Sequence, residues 1–274
     1  MTQRLKVVET PDTVWGELKR EAAEVAANEP SLASLVNAVI IRHGALSSAL
    51  SYQVARKLGD QELRAMSLRE VAEEAYAADP SIIMKAEADL RAVFERDPAC
   101  KGYLQPFLYF KGFLALQTYR VAHWLHTEGR TPLALYLQSR VSELFQVDIN
   151  PAAVIGSGVF VDHGTGIVIG ETAVVGDEVS MLQGVTLGGT GAERGDRHPK
   201  VGKGVLLGAG AKVLGNIKIG DYAKVASGSV VLKDVPAGCT AAGVPARLVN
   251  CPTCDEPARS MDHTLADEVY DYVI

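Results

Sequence analysis

The chain has 274 residues, 47% of them hydrophobic and 22% charged, with 27 Lys and Arg against 33 Asp and Glu for a formal net charge of −6. Those proportions are ordinary for a water-soluble globular chain with ample core, in one large domain or two modest ones. The acidic balance argues against a nucleic-acid or anionic-membrane surface, and no apolar run reaches the roughly 18 residues a membrane span needs.

In chain order, the first half reads as helices. Thr10-Pro11 is a helix start, with a cap residue ahead of a proline suited to the first turn, and Asn28 with Pro30 stops that helix. Leu46, Leu50, Val54 and Leu58 recur at helical spacing until Gly59. Ser67 opens a helix that must stop by Pro80, Ile82 to Phe94 forms another, and Asp97-Pro98 breaks it. Pro106 to His126 is one long apolar helix, and Thr131-Pro132 starts a last one through Leu144. Both tryptophans, Trp15 and Trp124, lie in this half. Residues 1–147 are therefore expected to be an all-α domain.

From about Ile149 to Val235 the period changes to six. Aliphatic residues stand at Ile149, Ile155 and Val161, at Ile169, Val175, Met181 and Leu187, and at Val201, Leu207, Val213, Ile219, Val225 and Val231. Seven of these thirteen are followed by glycine, and small or β-branched residues sit four positions on, as at Ala153, Ala173, Val179, Val185, Ala211 and Ala223. A sandwich would alternate with period two. A six-residue beat means short strands joined by tight turns and stacked as a parallel solenoid. The fold class is α+β, with the solenoid over residues 148–249 and a flexible tail over 250–274.

The beat slips twice. Eight residues separate Val161 from Ile169, carrying Asp162-His163-Gly164-Thr165-Gly166, and fourteen separate Leu187 from Val201, carrying Gly188-Gly189-Thr190 and Asp196-Arg197-His198-Pro199. The two histidines of the repeats lie in these interruptions, where function concentrates. With three hexapeptides per coil, Asp148 is expected one coil from His163, about 4.8 Å away along the stack. A carboxylate there would orient an imidazole acting as general base. Alternatively, Asp148 merely closes the helical domain.

Several runs then become recognisable: Asp148-Ile149-Asn150-Pro151, Asp162-His163, Gly170-Glu171-Thr172, Thr186-Leu187-Gly188-Gly189-Thr190-Gly191, Asp196-Arg197-His198-Pro199-Lys200 and Ala241-Ala242-Gly243-Val244-Pro245-Ala246. Together with Arg96-Asp97-Pro98-Ala99 and Lys111-Gly112-Phe113 in the helical half, the chain closely resembles the serine O-acetyltransferases of cysteine synthesis. The resemblance implies a left-handed parallel β-helix, acetyl-CoA as co-substrate and L-serine as acceptor. It implies His163 as general base oriented by Asp148, Asp97 and Asp162 on the substrate ammonium, and Arg197 and His198 on its carboxylate. Gly189, Ala209, Gly210 and Ser227 would line a coenzyme cleft between neighbouring subunits, with Lys224 at a CoA phosphate. The resemblance also implies feedback inhibition by L-cysteine and assembly as a trimer or a dimer of trimers. The terminal Ile274 would be the docking residue for O-acetylserine sulfhydrylase.

Four cysteines (Cys100, Cys239, Cys251, Cys254) are too few and scattered for a disulfide scaffold, and the opening Met1 to Lys6 lacks an apolar signal core, so a cytoplasmic protein is expected. Cys251-Pro252-Thr253-Cys254 has no second pair, and no metal site is expected. Two other enzyme readings remain: an acyltransferase for a sugar or antibiotic hydroxyl, and a metal-dependent hydratase on the same solenoid. The second wants three histidines where the repeats supply His163 and His198. A non-catalytic scaffold for the sulfhydrylase would not need His163.

Overall fold

In the computed structural model the described residues are 13–191, 194–251 and 256–265. The expected start at Thr10 lies outside them, and α1 (Val14–Asn28) is capped instead by Thr13, whose hydroxyl accepts from the Gly16 amide at 3.1 Å. Pro30 opens α2 (Pro30–Val36), which runs into a π-helical turn at Asn37–Ile41. Then follow α3 (Leu46–Leu58), α4 (Ala65–Ala78) and α5 (Ser81–Arg96), bounded by Gly59 and the two proline stops. The long helix expected from Pro106 to His126 is two, α6 (Leu104–Tyr109) and α7 (Lys111–Thr127), hinged at an extended Phe110. Nothing local breaks it, since Pro106 sits in the first turn of α6. The hinge brings Gly112 against the solenoid, where a Cβ would fall 2.2 Å from the Val161 carbonyl oxygen. The last helix of this half is α8 (Thr131–Phe145).

The solenoid begins at β1 (Val147–Ile149), β2 (Val154–Ile155), β3 (Phe160–Val161) and β4 (Ile167–Ile169), and continues through β5 (Val174–Val175), β6 (Ser180–Met181), β7 (Thr186–Gly188), β8 (Lys200–Val201), β9 (Leu206–Leu207), β10 (Lys212–Leu214), β11 (Lys218–Ile219), β12 (Lys224–Val225) and β13 (Val230–Val231). Every third strand pairs in parallel: β1-β4-β7-β10-β13 form the first sheet, β2-β5-β8-β11 the second, and β3-β6-β9-β12 the third. All thirteen residues of the six-residue beat are buried, as are the six named at the fourth position after them. The beat is the inside of the prism, and each coil rests its aliphatic ring on the next. Between the second and third faces, Asp177 and Asp221 close the corner by accepting from the amides of Ser157 and Lys203 at 2.7 and 2.8 Å, and Asp234 does the same between the first and second faces, accepting from the Lys218 amide at 2.9 Å.

Strand β14 (Thr240–Gly243) adds a rung to the third sheet beyond Val235, and β15 (Ala246–Asn250) returns antiparallel to it. Cys251 is disulfide-bonded to Cys239 across the base of this hairpin, a single bond where the sequence pattern points to no disulfide scaffold; Cys254 lies outside the described residues. Residues 256–265, expected in a flexible tail, fold back instead. Their short helix α9 (Pro257–Ser260) packs on α5, and the Ala258 carbonyl accepts from Ser180 Oγ at 2.8 Å. Among the described residues, no helix is long and apolar enough to cross a membrane.

Helices α5 and α7 clamp the first coil. Along α7, Tyr119 Oη donates to the Ala153 carbonyl, Arg120 Nη2 to Gly156 at 2.8 Å, and His123 Nδ1 to Pro151 at 2.7 Å. From α5, buried Arg96 donates to Ser180 Oγ at 3.1 Å and to the Glu178 carboxylate, so the end of α5, and with it Asp97, is fastened to the third face.

Candidate active site

The corner from the third face to the first is a repeated turn. The amides of Gly184, Gly210 and Gly228 donate to the carbonyls of Thr165, Gln183 and Ala209, each at 2.8 Å. Thr165, Gln183, Ala209 and Ser227 thus stack in one column. Beside it Gly166, Gly184, Gly210 and Gly228 stack in another, all left-handed with φ between 71° and 76°. The uppermost turn alone carries two extra residues, His163 and Gly164, with φ of 56° and 77°. The insertion lifts His163 out of the column and leaves its side chain 73% exposed.

His163 Nε2 stands 3.7 Å from Asp162 Oδ1. Asp97, at the C-cap of α5, is turned in by an Asx bond to the Ala99 amide at 2.8 Å. Burial raises the Asp162 carboxyl above its ordinary value; the His163 ring opposes that shift and the Asp97 charge adds to it. His163 and two acids therefore share this corner, with a second imidazole, His263, also drawing on the Asp162 charge.

Asp148 does not stack on His163. Its register partner is Val168, and its Oδ1 accepts from Gln138 Nε2 of α8 at 2.6 Å. The expected one-coil stacking counted residues through a corner that the insertion had lengthened. Within this chain the bond Asp148 makes is to the helical domain.

The second interruption lies at another edge of the prism, between β7 on the first face and β8 on the second. Thr172 organises it, its Oγ1 accepting from the amides of Arg197 at 3.0 Å and His198 at 3.1 Å, while its own amide donates to His198 Nδ1 at 3.2 Å. His198 is 6% exposed and lies over Gly170, where a Cβ would come within 2.0 Å of Nε2. Burial, with the Arg197 charge beside it, holds the imidazole below its ordinary pKa. The ring is thus neutral at neutral pH, with Nδ1 accepting from the Thr172 amide and the proton on Nε2. Two cations stand at this corner: Arg197, whose Nη2 is bonded to Glu171 at 2.8 Å, and Lys200, whose Nζ donates to the Thr172 and His198 carbonyls at 2.6 and 3.0 Å and pairs with Asp196. Glu171 and Thr172 stood in a recognisable run, yet nothing in their spacing marks the roles they take here.

Of the expected coenzyme residues, Ala209, Gly210 and Ser227 lie on the edge that carries His163, whereas Gly189 lies by Arg197 on the other. Lys224 Nζ donates to the carbonyls of Asp262 at 3.0 Å and Thr264 at 2.6 Å, so the returning segment occupies the cation expected at a phosphate. Ile274 lies outside the described residues.

Comparison with known proteins matches residues 14–118 to the N-terminal serine acetyltransferase family model, and residues 198–233 to the six-repeat bacterial transferase hexapeptide model. The serine acetyltransferase of Escherichia coli K12 is 56% identical over 251 residues, covering 92% of each chain. The chain belongs to the serine acetyltransferase family. A serine acetyltransferase solved in complex with cysteine superposes with a TM-score of 0.91 at 54% identity, over 92% of this chain and 98% of that one. The serine acetyltransferase of Brucella abortus S19, solved with coenzyme A, gives 0.87 at 49% identity over 89% and 98%. The family's helical half and β-helix are thus both present in this enzyme.

Proposed function

We propose that this chain moves the acetyl group of acetyl-CoA onto the side-chain hydroxyl of L-serine, giving O-acetylserine and CoA, with His163 as general base. The observation that carries the reading is the meeting of Asp97 and Asp162 beside an exposed imidazole. Two acids suit the ammonium of an amino acid, and a base an atom or two away suits its hydroxyl. A sugar hydroxyl would need no such pair. Serine's hydroxyl is a weak nucleophile at neutral pH, so the base takes its proton as oxygen attacks the thioester carbonyl. The tetrahedral oxyanion collapses with rupture of the carbon–sulfur bond, and the imidazolium returns the proton to the departing thiolate of CoA.

The substrate carboxylate is read as bound by Arg197, which would be shared with Glu171, and by the neutral Nε2–H of His198. These groups and His163 stand at different edges of one prism, which supports a site completed between neighbouring copies of the chain, in a trimer or a dimer of trimers. In that assembly Asp148 could exchange Gln138 for an imidazole; within one chain Asp162 is the nearer carboxylate. Acetyl-CoA would lie along the Ala209, Gly210 and Ser227 edge, with Gly189 supplied by the neighbour. The Lys224 contact would require residues 262–264 to give way.

The relatives solved with cysteine and with coenzyme A support the same two ligands here, L-cysteine as an inhibitor that mimics serine. O-acetylserine sulfhydrylase is proposed to capture the free carboxylate and apolar side chain of Ile274. The deciding assay is release of free CoA thiol from acetyl-CoA, expected only on addition of L-serine; a purified chain releasing none would end this reading. Inhibition by L-cysteine should weaken as serine rises, and deleting Ile274 should abolish sulfhydrylase binding with turnover intact.

A further inference from the structure

The base of the proposed reaction stands on an insertion whose own hydrogen bonds are local, the Gly164 amide donating to the Asp162 carbonyl at 2.6 Å and its carbonyl accepting from the Ile167 amide at 3.1 Å. His163 and Gly164 are both left-handed, Gly166 follows at 76°, and the imidazole is 73% exposed with Asp162 at 3.7 Å, beyond hydrogen-bond reach. The insertion is met by the Val147 side chain of β1 and by the first turn of α7. Lys111 Nζ donates to Thr165 Oγ1, the rung directly below the two added residues. Gly112 faces Gly164 so closely that a Cβ on Gly164 would lie 3.3 Å from the Gly112 Cα. The rest of α7 is tied to the first coil through Tyr119, Arg120 and His123, so its first turn is the end of a fixed strut.

We infer that Lys111 is a positioning residue for catalysis: by fastening Thr165 to α7 it sets where the insertion leaves the column, and so the line of the His163 imidazole toward the serine hydroxyl. Thr165 is the natural point of control. Its carbonyl is already held by the Gly184 amide at 2.8 Å, and Gly164 is tied only within the turn, to Asp162 and Ile167, so the Thr165 side chain is where α7 holds the turn by a hydrogen bond. Rate is sensitive to such placement, since a misplacement of about 1 Å can cost on the order of a hundredfold. The inference rests on His163 being the base.

The test is a cycle of Lys111→Met, which keeps the methylene stem without the donor, Thr165→Val and the double variant, with Lys111→Arg as rescue. Each single change should lower kcat at least about tenfold. The double should be no worse than the weaker single, because both remove one contact. KM for acetyl-CoA and the melting temperature should hold, Lys111→Arg should recover most of kcat, and amide exchange should quicken within residues 161–169 alone. Wild-type kcat in Lys111→Met overturns the inference, as do losses that multiply in the double variant, or faster exchange without loss of turnover. Wild-type protein lacking serine-dependent turnover would instead remove the reading of His163 beneath it, while the exchange measurement still judges the clasp.

Discussion

Arg120 of α7 and Asp89 of α5 form a buried ion pair, with Nη2 2.7 Å from Oδ2 and side chains 3% and 0% exposed. The same carboxylate accepts from Gln117 Nε2 and from the Val159 amide, each at 2.9 Å, so it joins two helices and the solenoid at one point. Buried pairs add little over an apolar substitute, but breaking one strands a charge. Arg120→Met should therefore cost about 3–5 kcal/mol in denaturant unfolding. A loss under about 1 kcal/mol would mean that Asp89 finds another partner or a proton, which pH-dependent unfolding would reveal.

For His163 the expectation is the reverse, a large loss of rate without loss of fold. The side chain is exposed, and asparagine tolerates the left-handed backbone that position requires. His163→Asn should lower kcat by roughly 10²–10⁴ while leaving the unfolding midpoint in place. Retained turnover would remove the base from the mechanism.

Asp162 should trade stability against substrate binding. Its folded carboxyl is raised, chiefly by burial and further by Asp97 against the pull of His163 and His263, so its charged form costs the folded state. With a raised acid that cost is full above the folded value, shrinks as pH falls through it, and vanishes below the unfolded carboxylate range. Asp162→Asn should accordingly melt higher than the parent at neutral pH, with the gap closing in acid, and should raise KM for serine. Thermal scans across pH read the first effect and steady-state kinetics the second; a variant that melts lower at neutral pH would contradict the assignment.

The interior was legible in the sequence because a coil interior accepts one aliphatic residue every six, and each of the thirteen such positions is buried. The corner was legible only in outline. An eight-residue interval announces two added residues, but not that Thr165 keeps the column while His163 leaves it, and the error about Asp148 follows from that. The hinge at Phe110 has no local signal, since it answers to the approach of Gly112 to Val161. Nor has the pairing of Asp89 with Arg120 any, because buried charges answer to tertiary partners and not to periodicity. Neutral His198 is of the same kind. Its chemistry is set by Thr172 and Gly170 one coil away and by Arg197 beside it.

The separation of the two corners makes a prediction about assembly. His163 with Asp162 stands between the third and first faces, and Arg197 with His198 between the first and second, so the two sets occupy separate edges of one chain. If the site forms between copies, His163→Asn and Arg197→Ala proteins should each be nearly inactive alone, one lacking the base and the other the carboxylate cation. Dissociated and reassembled together, they should regain part of the parent turnover. In a cyclic assembly, some interfaces then pair an intact His163 corner with an intact Arg197 corner. The recovered fraction should follow the mixing ratio and peak at equal amounts. A mixture that stays as inactive as its components, despite exchange of subunits shown by mass spectrometry, would mean that each chain completes its own site and that the loop at Arg197 must move to do so.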